Sequence, residues 1–238
     1  MSSAMSSQEG NPKQLRFTRV LFYLIPGLII SAILAFNILQ PIKVLPRVSL
    51  APGFAFINQD GETVTSEDYR GRLVFYTFSF SECGKPCEAT GSKLARLDKE
   101  LTAKNFPGLD ISFVTISLDP ENETPSELQA VTLSEQLAQT LTNDWDFVAG
   151  ASDLTKYVVG GGFGVYYDNL QAMTQAASFE PRVVLVDGWG IIRSEYHPES
   201  FSVERALTDI DYLANEIENA NGVAKLAYEA AHLFRCYP

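Results

Sequence analysis

The alternation of apolar and polar positions divides the chain into a tail, one long apolar run and a region of short mixed elements. Residues 1 to about 15 are polar and serine-rich with no hydrophobic period, which predicts a flexible tail. From Val20 to Ile42 there is no charged side chain over 23 positions, enough for a helix to cross a hydrocarbon layer of ~30 Å. Pro26 and Gly27 lie inside it, and membrane helices tolerate both. The run is longer than a signal-peptide core and no clear A-x-A site follows it, so it predicts an uncleaved transmembrane anchor over 18–42. Lys13, Arg16 and Arg19 precede the run and Lys43 and Arg47 follow it, a bias that places the tail, 1–17, in the cytoplasm and the rest of the chain on the extracytoplasmic side of the cell (inner) membrane.

After a linker over 43–52, strand-like and helix-like patterns alternate. Phe54 to Ile57 with the turn Asp60-Gly61 predicts a hairpin, and Arg72 to Phe80 predicts a strand. Residues 86–104 predict a helix with Leu94, Leu97 and Leu101 on one face. Ile111 to Leu118 has the continuous apolar character of a parallel strand. A helix near 125–141, a strand at Trp145–Val148, a helix from Ser152 and a brief strand at 164–167 follow. Val183–Val186 and Ile191–Tyr196 flank Asp187-Gly188-Trp189-Gly190 as a second hairpin. A helix over 203–217 ends the domain, 53–217, and an amphipathic helix forms the extension, 218–238. Strands interleaved with helices predict an α/β fold with a mixed sheet.

Charge narrows the partners. The net charge is −11, and residues 1–47, with five basic side chains and one acidic, carry +4, which leaves −15 for the remainder. Such a surface repels phosphate and excludes nucleic acid as the partner. Three cysteines are too few for a disulfide-built scaffold. The cluster Gly160-Gly161-Gly162-Phe163-Gly164 lacks the Lys-Ser/Thr pair and the strand–helix setting of a phosphate loop, and reads as a helix stop followed by a bend.

The chemistry gathers at Cys83 and Cys87. They lie between a strand and a helix beginning near Pro86, where unpaired N–H groups and the helix dipole favour thiolate, and Lys85 adds positive charge. Two thiols so spaced can close a disulfide or hold a soft ion such as Cu(I). The plainer reading is a structural pair, although structural disulfides close longer loops.

With the anchor, C-x-x-x-C after a strand, and Ser117-Leu118-Asp119-Pro120-Glu121-Asn122-Glu123-Thr124-Pro125 after the next, the chain resembles the Sco (SenC) family. The second motif is close to S-x-D-P-x-x-D-T-P, with Glu123 one carbon longer than the usual acid. Asp60-Gly61, Asp68-Tyr69-Arg70-Gly71 and Phe163-Gly164-Val165-Tyr166-Tyr167 are further matches. The resemblance implies a thioredoxin-like fold with copper, Cu(I) favoured, on Cys83 and Cys87. It also implies copper delivery to, or maturation of, cytochrome c oxidase subunit II or another respiratory membrane protein. The family's third ligand, a histidine, is replaced by Phe179, which has no lone pair to donate, and Gly84 and Glu88 stand where prolines usually flank the cysteines.

Two histidines are present in the chain. If the hairpin pairs Asp187 with Ile191, His197 falls opposite Pro181 at the end where Phe179 lies, which makes His197 the substitute metal ligand. Its plainer role is an exposed histidine at a strand end. Met173 offers a thioether or fills the core, His232 reads as surface, and Cys236 as a free or lipid-accessible thiol in a tail, with intermolecular pairing the other reading. Pro181 resembles the proline that faces the cysteines of thioredoxin-like reductases. A thiol-disulfide oxidoreductase with Cys83, Cys87 and Pro181 as its catalytic residues is therefore the alternative reading. An accessory subunit of a respiratory membrane complex, using the stripe Leu226, Ala230, Leu233 and Phe234, is a third.

Overall fold

A computed structural model of the chain describes residues 12–39, 42–132, 141–167, 179, 181–198 and 200–234. Two compact units, Met1–Lys43 and Val44–Pro238, make up the chain. In the first, helix α1 runs Pro12–Leu39 with Pro26 inside it, and its side chains from Val20 to Ala35 are exposed. The helix expected from the uncharged run is therefore present. Among the described residues, however, no helix is long and apolar enough to cross a membrane.

The second unit is built on a six-stranded mixed sheet of β1 (Ser49–Leu50), β4 (Arg72–Ser79), β5 (Asp110–Ser117), β6 (Asp144–Val148), β7 (Val183–Val186) and β8 (Ile191–Tyr196), in the order β1-β8-β7-β4-β5-β6. The strands β4, β5 and β6 are parallel, while β7, β8 and β1 pair antiparallel. Central β4 is buried on both faces from Leu73 to Ser79, as its unbroken apolar run predicts. On one face lie α2 (Lys85–Lys104) and α5 (Val203–Glu218), with Leu94, Leu97 and Leu101 packed beside Phe75, Phe113, Ala206 and Ile210. The other face carries Val74, Tyr76, Phe78 and Phe80 against Phe54, Phe56 and Phe163. There the small hairpin of β2 (Ala55–Ile57) and β3 (Thr63–Thr65) closes the core.

Among the described residues, the remaining α-helices are α3 (Pro125–Thr132), α4 (Ser152–Lys156) and α6 (Gly222–Phe234). The glycine cluster does stop a helix: α4 runs into a π-helical turn, Tyr157–Gly162, and Gly164 takes a φ of 66°. Gly162 lies so close to Pro52 that a Cβ would come within 2.4 Å of its ring. The brief strand expected at 164–167 does not form. Val165 N–H bonds instead to the Val159 carbonyl, so this backbone is used in closing the turn.

Of the expected linker, 43–52, the part from Val44 onward is bound to the domain. Val44 and Leu45 are buried, and Arg193 donates to the carbonyls of Leu45 (2.9 Å) and Pro46 (3.0 Å). Arg193 is the extra residue of a bulge. Val186 pairs with Ile192 as the turn dictates, but Leu185 pairs with Ser194 and Val183 with Tyr196. The bulge turns the Arg193 guanidinium into the interior, 2.9 Å from Asp187 and 2.6 Å from Glu216. It also moves His197 one step from its expected level, to that of Arg182 rather than Pro181.

His232 is not a surface residue. Its side chain is 11% exposed and its Nε2 lies 3.0 Å from Glu216 Oε1, while Glu229 of the same helix pairs with Arg47 at 3.2 Å. Helix α6 thus engages its own domain. Ala231 is buried and Leu226 is 72% exposed, so Leu226 lies off the buried face. The side chains of Leu233 and Phe234, with Met173 and Cys236, lie outside the described residues.

Candidate thiol site

The chain leaves β4 at the sheet's carboxyl end, where a parallel α/β sheet exposes its chemistry. Phe80 is extended, and Ser81–Cys83 forms a short 3-10 turn closed by the Cys83 N–H on the Phe80 carbonyl at 3.0 Å. Gly84 follows at φ 63°, ψ −143°, a conformation that side-chain-bearing residues avoid. It reverses the chain into α2, with Pro86 in the first turn, where its missing N–H costs nothing.

Cys83 and Cys87 are brought together as a disulfide with Cα atoms 5.8 Å apart. Cys87 is buried at 5% exposure in the first turn of α2, and Cys83 is partly exposed where it packs on the second apolar cluster. The two sulfurs differ in access. Cys83 is the more accessible and Cys87 the shielded one.

The walls are aromatic. Phe179, which packs on the same apolar cluster as Cys83, meets Phe80 edge-on with ring centroids 5.8 Å apart. Tyr167 packs on that cluster too. The Phe179 ring offers no donor atom to a metal.

The loop ahead of the cysteines is anchored by an acid of the second motif. Glu123 is 7% exposed. Its carboxylate accepts from the Ser81 N–H at 2.6 Å, from the Ser81 hydroxyl, and from the Ser117 hydroxyl at 2.5 Å. Burial pushes this carboxyl up, and the bonds from Ser117 and Ser81 offset part of that rise. The signal was available in the sequence: an acid six residues after one strand-end serine, with a second serine just past a strand, two residues before Cys83.

Pro181 is buried just ahead of β7, and the Glu180–Pro181 bond lies outside the described residues. His197 is exposed after β8. Its backbone N–H donates to Ser200 Oγ at 3.0 Å, and its carbonyl accepts from Ser200 and Phe201. Since Tyr196 pairs with Val183 and Val183 with Thr77, His197 lies at the cysteine end of the sheet, two strands from β4. Among the described residues, no three His, Cys, Asp or Glu side chains are grouped to hold a metal ion. The donors that fit a soft cation are the two sulfurs, once reduced.

The SCO1/SenC family model matches residues 44–215. Over 99 residues the chain is 32% identical to the SCO1 protein homolog of Bacillus subtilis. That alignment covers 42% of this chain and 48% of that protein, so the chain spans about half the length of the relative it matches. Among solved structures, it is similar to BsSco, a member of the Sco family of cytochrome c oxidase assembly proteins with a disulfide switch. There the TM-score is 0.59 at 21% identity, over 73% of this chain and 98% of that one. Arabidopsis thaliana ScoI with copper bound gives a TM-score of 0.52 at 21% identity, over 71% and 99% of the two chains. At these identities the likeness is one of fold, an α/β thioredoxin-like mixed sheet flanked by helices.

Proposed function

The chain belongs to the SCO1/SenC family, and from that premise we propose that it carries Cu(I) on Cys83 and Cys87 for assembly of the copper site of cytochrome c oxidase. One observation supports this above the others: two sulfurs close enough to bond, one reachable and one shielded, at the carboxyl edge of the sheet. Reduced, they offer two soft thiolates to one ion, and the helix start favours the charged form. His197 is the proposed third donor, because it is exposed at the same end of the sheet; Phe179 supplies a dry wall instead of the family's imidazole. The acidic surface favours a cationic or basic docking face on the recipient. Attachment to a membrane through α1 belongs to the same proposal, supported by its exposed apolar side chains and the uncharged run to Ile42.

The disulfide favours a second reading, thiol exchange on the recipient's cysteines. Reduced Cys83, as thiolate, attacks a partner disulfide and releases one partner thiolate. Cys87 then attacks the mixed disulfide, the new S–S bond forms between Cys83 and Cys87, and the second partner thiolate leaves. Pro181 at the adjoining strand start removes a backbone donor next to that exchange.

An anaerobic Cu(I) titration of the reduced chain against a competing chelator tests the copper reading. One tight equivalent is expected, lost in Cys83→Ser and weakened at least tenfold in His197→Ala. A wild-type chain that cannot compete for Cu(I) rules out the copper reading. A Cys83-dependent site indifferent to His197→Ala removes His197 from it.

A further inference from the structure

Glu123 joins the two loops that matter most at this end of the sheet. Its own loop follows β5 and is tied down by the Glu123 N–H on the Asp119 carbonyl (3.1 Å) and the Asp119 N–H on Ser117 Oγ (3.1 Å). The carboxylate then reaches across to the cysteine loop and takes both donors of Ser81, the last residue before the Glu82-Cys83 step. Between the two loops, the Leu118 N–H bonds to the Ser79 carbonyl at 2.9 Å. Ser117 and Ser79 are buried, so the bonds they make have no water to replace them, while the Ser81 end of the clamp is exposed. A glutamate reaches Ser81 where the shorter acid of the resembling motif has one carbon less.

We propose that Glu123 is a positioning residue for the Cys83–Cys87 couple: by holding Ser81, it keeps the loop in the geometry that closes the disulfide. The inference rests on the reading of these cysteines as a reversible pair. Closing a disulfide from two thiols requires one sulfur to be held near the other, and a loop already ordered loses less freedom on closure. By ordering the loop before closure, the clamp lowers the entropy lost on forming the disulfide and so weights the equilibrium toward that form. Releasing it favours the dithiol.

The test equilibrates the full chain in glutathione buffers. The reaction exchanges the Cys83–Cys87 disulfide and two glutathione thiols for two cysteine thiols and one glutathione disulfide. Glu123→Ala is expected to shift the constant about tenfold toward the dithiol, which is about 30 mV for a two-electron couple. Glu123→Asp, which keeps the acceptor, shifts it less. A Glu123→Ala constant within twofold of wild type, with the circular dichroism of the folded chain intact, overturns the proposal, as does an equal shift in the two variants. If Glu123→Ala does not fold, Ser81→Ala removes one donor and leaves the carboxylate on Ser117; a shift of at least twofold in the same direction is expected there, and none overturns it. A wild-type pair that fails to equilibrate with glutathione overturns the reversible-couple reading itself, and this inference with it.

Discussion

Replacing Glu216 by Gln would unpin four parts of the domain at once. Its carboxylate accepts from Arg193 at 2.6 Å, His232 at 3.0 Å and Arg47 at 3.3 Å. Arg193 and Asp187 are each 1% exposed, and Glu216 is 8% exposed. Removing one partner of a buried ion pair costs about 3–5 kcal/mol, and Gln retains one acceptor, which points to the lower end. Proton linkage gives the same size. Burial alone would raise the Glu216 carboxyl, but hydrogen bonds and charge from His232 and Arg193 outweigh it and hold the group at about 2, against 4.5 ordinarily. That difference corresponds to about 3 kcal/mol. Because the folded value is depressed, this stabilisation is complete above about pH 4.5 and is lost as the pH falls toward 2. Urea unfolding of the full chain should therefore show Glu216→Gln less stable by about 3 kcal/mol at pH 7, with a Tm lower by roughly 6–12 °C. The gap to wild type should close between pH 4.5 and 2. A variant within 1 kcal/mol of wild type at pH 7 (~1 kcal/mol being the value of an ordinary exposed pair), or a gap unchanged down to pH 2, would refute the reasoning.

Three further outcomes follow from the site. Phe179→His places an imidazole beside the cysteine loop, and Cu(II) binding, followed by its thiolate-to-copper absorption, should tighten at least tenfold; no change would show that position 179 does not face the sulfurs. Gly84→Ala forces a Cβ onto a backbone at φ 63°, ψ −143°, costing about 1–3 kcal/mol in thermal unfolding, with a smaller loss in the reduced chain, where the loop can relax. Arg193→Met leaves Asp187 buried without its ion partner and frees the Leu45 and Pro46 carbonyls. Amide exchange at Val48 and Ala51, whose N–H groups bond the β8 hairpin, should accelerate more than at β4, whereas uniform acceleration would mean the whole domain had loosened.

The elements that could be read from the sequence are those whose pattern reflects burial. The strand at β4, the i, i+3, i+7 leucines of α2 and the Asp-Gly-Trp-Gly hairpin all follow from side chains facing one core, and the cysteines stood out through their setting between strand and helix. What escaped depends on long-range polar pairing. The bulge at Arg193 cannot be inferred from a strand pattern, since it is driven by an arginine turning inward to Asp187 and Glu216. The same network draws His232 into the domain and binds the segment after Lys43, both of which look solvent-exposed by composition. Glu123 was visible as part of a motif, but its partner Ser81 lies 42 residues away. The strand expected at 164–167 failed because the preceding π-helical turn claims the Val165 N–H.

The central claim is that one pair of sulfurs alternates between a disulfide and a copper-binding dithiol. It is tested most directly by measuring the glutathione midpoint of the full chain anaerobically, with and without free Cu(I) fixed by a competing chelator at about one hundred times its dissociation constant. Binding to the dithiol alone predicts a roughly hundredfold shift toward reduction, about 60 mV, abolished in Cys87→Ser because no disulfide can form. An identical midpoint with and without Cu(I) would contradict the account.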